Sequence, residues 1–209
     1  HDANDHRIAT SAAVSCASCH PDGRTDNMTW KFSFGPRNTP QLGGGIMDTA
    51  PFHWPGDVRT FDDLETATVQ AFMGGEGLGS DMAVVGSFLD HLPSAPTSTH
   101  LSNSLSASQE RGKAIFESAE AACTSCHSGE DFTNHLTMNI GSQAGHSDRE
   151  DFQVPVLHGL SRSAPYMHDG SAATLEALVT EWVKTDRMGK GSHLSTDELK
   201  DLIRFLETL

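Results

Sequence analysis

The sequence is short of apolar residues, of aromatic residues and of positive charge. Only 36% of its 209 residues are apolar and 7% aromatic, with a single Tyr, a low share for a globular chain. Alongside 19 Gly and 9 Pro, this predicts a loop-rich protein whose core is filled out by something other than side chains. No apolar run approaches the roughly 18 residues of a membrane-spanning helix, so a transmembrane segment is not expected. Lys and Arg number 14 against 28 Asp and Glu, a formal charge of −14. Phosphate binding needs a basic face, which excludes nucleic acid as the main partner. The acid is spread evenly, −7 over residues 1–104 and −7 over 105–209, a surface that steers basic partners. No apolar–polar alternation suggests a substantial sheet. The chain opens on His1 rather than Met and shows no signal peptide, which reads as a processed form or a segment of a longer protein.

Cysteine is scarce too, but its placement is informative. All four cysteines fall into two copies of one pattern, Cys16-Ala17-Ser18-Cys19-His20 and Cys123-Thr124-Ser125-Cys126-His127. Cys-x-x-Cys-His is the attachment motif of c-type haem. Two thiols three positions apart on a helical turn reach the two vinyl groups on one porphyrin edge, and the adjacent His lies under the iron as its proximal ligand. A disulfide framework gives no reason for a His after each pair. A four-Cys zinc site separates its pairs by about 15–20 residues, whereas these pairs stand at 16–19 and 123–126. A thioredoxin-like motif needs a βαβ context that is not visible here. Two covalent haems are therefore expected, and their flat apolar faces supply the missing core.

Self-comparison extends the repeat beyond the cysteines. Asn38–Leu42 answers Gln153–Leu157, Ala50–Asp57 answers Ala164–Ser171, and Thr60–Leu64 answers Thr174–Leu178; Met73-Gly74 answers Met188-Gly189. Each Met leads into a terminal amphipathic segment. Ser106-x-x-Gln109 and Ser195-x-x-Glu198 are capping-box patterns. The first opens a helix to about Glu120 with Gly112, Ile115, Phe116 and Ala119 on one face, the second a helix lined by Leu199, Leu202, Ile203, Leu206 and Leu209. Thr174–Val183 and Ser80–Leu92 also read as helices, the latter with Val84, Val85, Phe88, Leu89 and Leu92 on its apolar side. The Pro/Ser/Thr-rich stretch Pro93–Ala107 reads as a linker. The class is mainly α with long loops, in two domains, 1–96 and 97–209.

On these residues each half resembles a class I cytochrome c: an attachment motif, a Met-containing loop, then a C-terminal helix. The pair resembles the di-haem cytochrome c peroxidase superfamily over most of its length. The matching stretches are Gly35–Pro40, Pro51–Gly56, Ala164–Ser171 and Met188-Gly189, of which Tyr166-Met167-His168-Asp169-Gly170 is the most specific. The resemblance implies tandem class I domains, Met188 as the sixth ligand of the second haem, a Trp between the haems at Trp54, and His168 as a structural residue in a turn. It also implies a calcium ion between domains, for which no ligand set is identifiable. In that family the first haem takes a removable His from the loop before the Arg-Asn-Thr-Pro stretch; here that loop, Thr25–Phe34, contains no His.

The repeat nominates Met73 as the first haem's sixth ligand, with Met28 and His53 as rivals and Met167 and His168 as rivals of Met188. Trp30 is placed to cap a haem face. A lone His beside Trp54 is more often a hydrogen-bonding residue than a ligand. Peroxide chemistry needs a distal proton acceptor, and Glu76, in a Gly-rich loop, is the nominee. Ser128–Gly159 is long and polar and reads as an insertion contacting the other domain or a partner; its His135, His146 and His158 are spaced too irregularly for a metal site. The expectation is a di-haem c-type cytochrome in electron transfer. Cys16, Cys19 and Cys123, Cys126 anchor the haems; His20 with Met73 and His127 with Met188 bind the irons. Its partner is a redox protein with a basic docking face, and its place the periplasm or cell surface. Peroxide reduction at the first haem, or electron entry for a larger enzyme, are the alternatives.

Overall fold

The computed structural model describes residues 2–94, 104–143 and 148–209. The expected linker core, the boundary at 96/97 and His146 lie outside them. About a third of the chain is helical; the rest is loop, with two small antiparallel ribbons that sequence alternation does not announce. In chain order come α1 (Cys16–Cys19), β1 (Thr29–Phe32), β2 (Gly35–Asn38), a wide π-type turn Glu65–Gln70 and α2 (Asp81–Asp90). Then follow α3 (Ala107–Glu117), a 3-10 turn Cys123–Ser125, β3 (Thr137–Met138), β4 (Phe152–Gln153), α4 (Leu175–Leu178) running into a second wide turn Val179–Val183, and α5 (Thr196–Leu206). Among the described residues no helix is long and apolar enough to cross a membrane.

The capping signals work as written. The Ser106 backbone N–H donates to Gln109 Oε1 at 2.7 Å and the Ser195 N–H to Glu198 Oε2 at 2.8 Å, so each box starts its helix where the sequence puts it. The helix from Ser106 stops at Glu117, three residues short of expectation, because Ser118 turns extended and caps the Ile115 carbonyl. α3 and α5 cross at Gly112, where a Cβ would collide with the Asp201 carbonyl and lie 2.8 Å from Phe205 Cβ. Arg111 grips Asp201 beside the crossing, at 2.6 and 2.9 Å.

Two separate apolar clusters form. The larger joins Phe116, Tyr166, Trp182, Leu202 and Phe205 in the second half; the smaller has Ile46, Phe61, Val69 and Met82 in the first. Residues 2–15 are turns, and α2 is only partly covered. That corrects its predicted apolar face: Val85 and Leu89 reach the small cluster, but Val84 and Phe88 are 68% and 49% exposed.

The repeat continues into the contact between the halves. The Asn38 N–H donates to the His168 carbonyl at 2.7 Å, and the Gln153 N–H to the Trp54 carbonyl at 2.7 Å. Asn38 and Gln153 are matched positions, as are Trp54 and His168, so each half gives and accepts the same bond. Asn27 Nδ2 donates to the Ala164 carbonyl at 2.5 Å, and His135 Nδ1 lies 3.1 Å from the Ala50 carbonyl; both residues have φ +59°. Phe52 bridges Val58 as Tyr166 bridges Ala172. The Ser128–Gly159 segment thus contacts the other half as expected, but its ends are not an insertion: β3–β4 is the counterpart of β1–β2.

His168 lies at the centre of this contact, 1% exposed. Its ring stacks on Phe152 at 3.6 Å and meets Trp54 edge-on at 6.4 Å. Arg37 covers the Phe152 ring at 5.5 Å. Burial drives the His168 pKa down to about 4, the Arg37 charge adding to the effect and Asp169 opposing it.

Two outcomes are expected. Gly112→Ala forces the α3–α5 crossing apart and costs about 1–3 kcal/mol, measured as a drop in the urea midpoint of the holoprotein. His168 is neutral in the fold but protonates below about pH 6.5 once unfolded, so its contribution is complete above that pH and fades as pH falls towards 4. Subtracting the unfolding curves of His168→Phe, which has no such titration, should isolate this acid slope; equal slopes in both proteins would refute it.

Candidate haem sites and the interface between them

The two attachment motifs are presented as open thiols next to half-buried imidazoles. All four cysteines are unpaired. Burial raises the Cys19 thiol above its usual range and takes Cys123 up to about 11. That is the opposite of the lowered thiol of a disulfide oxidoreductase or metal thiolate. Burial also lowers His20 and His127 below the ordinary imidazole range, opposed by the carbonyls of Pro40 and Arg24 for His20 and of Phe132 and Pro155 for His127. Pro40 and Pro155 are matched positions of the repeat. His127 Nδ1 is 2.9 Å from the Phe132 carbonyl, which leaves Nε2 for an iron, the usual division of labour in a metal-bound imidazole.

Several buried polar atoms lack a partner: His20 Nδ1, Arg24 Nε, Gln41 Oε1 and Trp182 Nε1 among them. Buried donors and acceptors are nearly always satisfied in a complete protein. Unpaired thiols, an oriented His127 imidazole and unsatisfied polar atoms together fit a large group with a flat apolar body and a polar edge. Haem c fits this description.

Both Met loops are built alike. The Met188 N–H donates to the Trp182 carbonyl at 2.9 Å, and the Met73 N–H to the Thr68 carbonyl at 2.8 Å; Trp182 and Thr68 are matched, each in its wide turn. Met188 is half-buried against the larger cluster, and its loop abuts the second motif, with Lys190 N–H 2.8 Å from the Ala121 carbonyl. The Met73 loop is held instead by residues 6–10, through Gly77 N–H to the Arg7 carbonyl at 3.0 Å and an Ala9–Gly74 bridge.

The remaining nominees separate. Met28 and Trp30 lie exposed on the first ribbon, Trp30 Nε1 donating to Asp26 at 3.0 Å. His53 has both nitrogens engaged, Nδ1 with Asp57 at 3.3 Å and Nε2 with Thr68 Oγ1 at 2.9 Å. Glu76 is exposed on the outside of its loop. Trp54 is half-buried at the contact between the halves and donates to the Asn38 carbonyl at 2.7 Å. His135 serves the cross-half contact, while His158 is half-buried and pairs with Asp131 at 2.9 Å. Among the described residues no three His, Cys, Asp or Glu side chains converge on a cation. The sequence reading overlooked Thr68, Asn38, Gln153 and Phe152. Carrying the repeat through Thr25-x-Asn27-x-Thr29 and Thr133-x-His135-x-Thr137 finds the ribbon, but nothing linear pairs His53 with Thr68.

No protein-family profile matches the chain. Methylamine utilization protein MauG of Methylorubrum extorquens is 28% identical over 98% of this chain and 75% of its own length. The hydrazine synthase gamma subunit of Kuenenia stuttgartiensis is 25% identical over 99% and 75%, and cytochrome c551 peroxidase of Nitrosomonas europaea 24% over 98% and 76%. In fold, hydrazine synthase of Kuenenia stuttgartiensis superposes with a TM-score of 0.85, at 22% identity, over all of this chain and 85% of the other. The diheme peroxidase BthA of Burkholderia thailandensis does so with 0.67, at 15% identity, over 98% and 83%. Relatives that match across nearly the whole chain, together with two haem-attachment motifs on a repeated frame, make this a di-haem c-type protein that resembles the di-haem cytochrome c peroxidase superfamily along its length and carries two covalently bound haem c groups.

Proposed function

We propose that the chain passes electrons between redox partners through two His/Met-ligated haems, carried on tandem class I-like domains spanning 1–96 and 97–209. The observation behind this reading is the matched capture of Met73 and Met188 by the carbonyls of Thr68 and Trp182. One architecture presents one thioether in each half. In it, Cys16 and Cys19, and Cys123 and Cys126, hold the haems by thioether bonds, with His20 and His127 proximal. When bound, haem c supplies reversible one-electron chemistry, at a potential raised by Met/His ligation. The protein's own part is to bury the imidazoles, orient His127 through the Phe132 carbonyl, and bring the halves together at Trp54, whose ring offers an aromatic step between them. The net charge of −14 favours a basic partner that docks weakly and releases quickly. Haem c is attached outside the cytoplasm in the families this chain resembles, which supports a periplasmic or cell-surface location.

A second reading, peroxide reduction at the first haem, is favoured by relatives named as peroxidases, including cytochrome c peroxidase Ccp of Escherichia coli K12. It requires the first iron's sixth position to open. Electron entry into a larger enzyme remains compatible with either reading.

The oxidised holoprotein should give two low-spin paramagnetic resonance signals and a far-red Met–iron band. Met188→Ala should abolish one low-spin signal and part of the band; an unchanged spectrum would remove Met188 as a ligand. Half-reduction separates the two readings. Two irons that stay low-spin indicate an electron carrier, whereas a high-spin first iron, with peroxide consumed by the half-reduced protein, indicates a peroxidase.

A further inference from the structure

The two Met loops share a main-chain frame but differ in what stands behind it. In the second half the carbonyl that holds Met188 belongs to Trp182, 5% exposed, its indole covered by Arg187 at 3.7 Å. Met167, the counterpart of His53, is buried as well. A packed indole beneath a guanidinium has no alternative position of similar energy. In the first half the matched carbonyl belongs to Thr68, and its small side chain is fixed by hydrogen bonding. Thr68 Oγ1 is 2.9 Å from His53 Nε2, and His53 Nδ1 is 3.3 Å from Asp57 Oδ1.

The backbone is arranged for that bond. His53 has φ +63°, as Met167 has φ +73°. This conformation is uncommon outside glycine and persists where the surroundings enforce it. The Phe52–Val58 bridge closes the turn that imposes it. Beyond Thr68 the chain is held by surface contacts rather than buried packing: Phe72, 51% exposed, meets Phe32 at 4.9 Å, and Gly77 N–H reaches the Arg7 carbonyl at 3.0 Å. A partly exposed hydrogen bond can be exchanged for one to water at small net cost; buried aromatic packing cannot.

We propose that His53 is a positioning residue of the first haem site. By holding Thr68 it keeps in place the carbonyl that captures the Met73 N–H, and so latches Met73 over the first iron. Because the latch is a hydrogen bond where the second half has packed Trp182, breaking that one bond should loosen Met73 and leave Met188 in place. This rests on the reading of Met73 as the first haem's ligand.

The test uses the oxidised holoprotein, with the far-red band, the low-spin resonance and cyanide binding as readouts. Met73→Ala should abolish the first site's share of the band. His53→Phe, which keeps a ring but loses both nitrogens, should weaken that share and expose a high-spin iron. Its apparent cyanide affinity should rise at least about tenfold, in proportion to the open fraction. Thr68→Val, isosteric and lacking only the hydroxyl, should do the same and serves if His53→Phe does not fold. His53→Gln, which can still reach Thr68, should restore the band. The Met188 signal should be unchanged throughout and reports the integrity of the fold. A normal band and cyanide affinity in both His53→Phe and Thr68→Val, with the band lost in Met73→Ala, overturns the latch and leaves Met73 as ligand. An unaltered band in Met73→Ala overturns the ligand assignment and the latch with it.

Discussion

Two reciprocal main-chain hydrogen bonds, Asn38 N–H to the His168 carbonyl and Gln153 N–H to the Trp54 carbonyl, set the arrangement on which the rest of the molecule depends. Each net bond contributes only about 1 kcal/mol, yet their pairing fixes how the halves face one another. Matched residues give and accept in opposite directions, so the contact has an approximate two-fold relation and the two Ala-Pro loops meet edge to edge. Trp54 therefore comes against His168, its own counterpart. The stack of Arg37, Phe152, His168 and Trp54 fills the space between. The imidazole stays neutral there because burial disfavours its charge and Phe152 covers its face.

On this symmetric frame the halves are unequal. The second has helix α3 to close against α5, and its cluster of buried side chains is the larger. The first has turns over residues 2–15, a small cluster and a partly exposed face on α2. The difference reaches the proposed ligand loops. Met188 is backed by apolar packing, and Met73 by a polar bracket of Asp57, His53 and Thr68. Rigid, buried ligation suits a centre that only exchanges electrons, whereas a lightly held ligand suits a centre that admits a substrate. The family relationship accommodates both behaviours, so the two readings of function turn on how firmly Met73 is held.

Much of this was legible in the linear sequence. The attachment motifs name their chemistry because the spacing of two vinyl groups dictates the spacing of two thiols. Ser106 and Ser195 announced their helices because capping is a contact within four residues. The repeat was readable in Ala50–Asp57 and Ala164–Ser171. The ribbons were not, since β3 and β4 have two residues each and so short a pairing leaves no alternation to read. The predicted apolar face of α2 held only in part: periodicity identifies an apolar side but cannot tell how much of it is covered, and Val84 and Phe88 stay 68% and 49% exposed.

The sequence by itself determined the local chemistry: two covalent haem sites, the caps, the repeat and the acidic surface, each written in residues close together in the chain. Tertiary structure alone decided which residues from distant segments meet. It brought Asn38 to His168 and Gln153 to Trp54, stacked Phe152 on His168, and bonded His53 to Thr68 beneath Met73 but left Trp182 packed beneath Met188. These outcomes depend on where two loops approach after folding, with a precision of a few ångströms, and no periodicity or spacing along one chain encodes that distance.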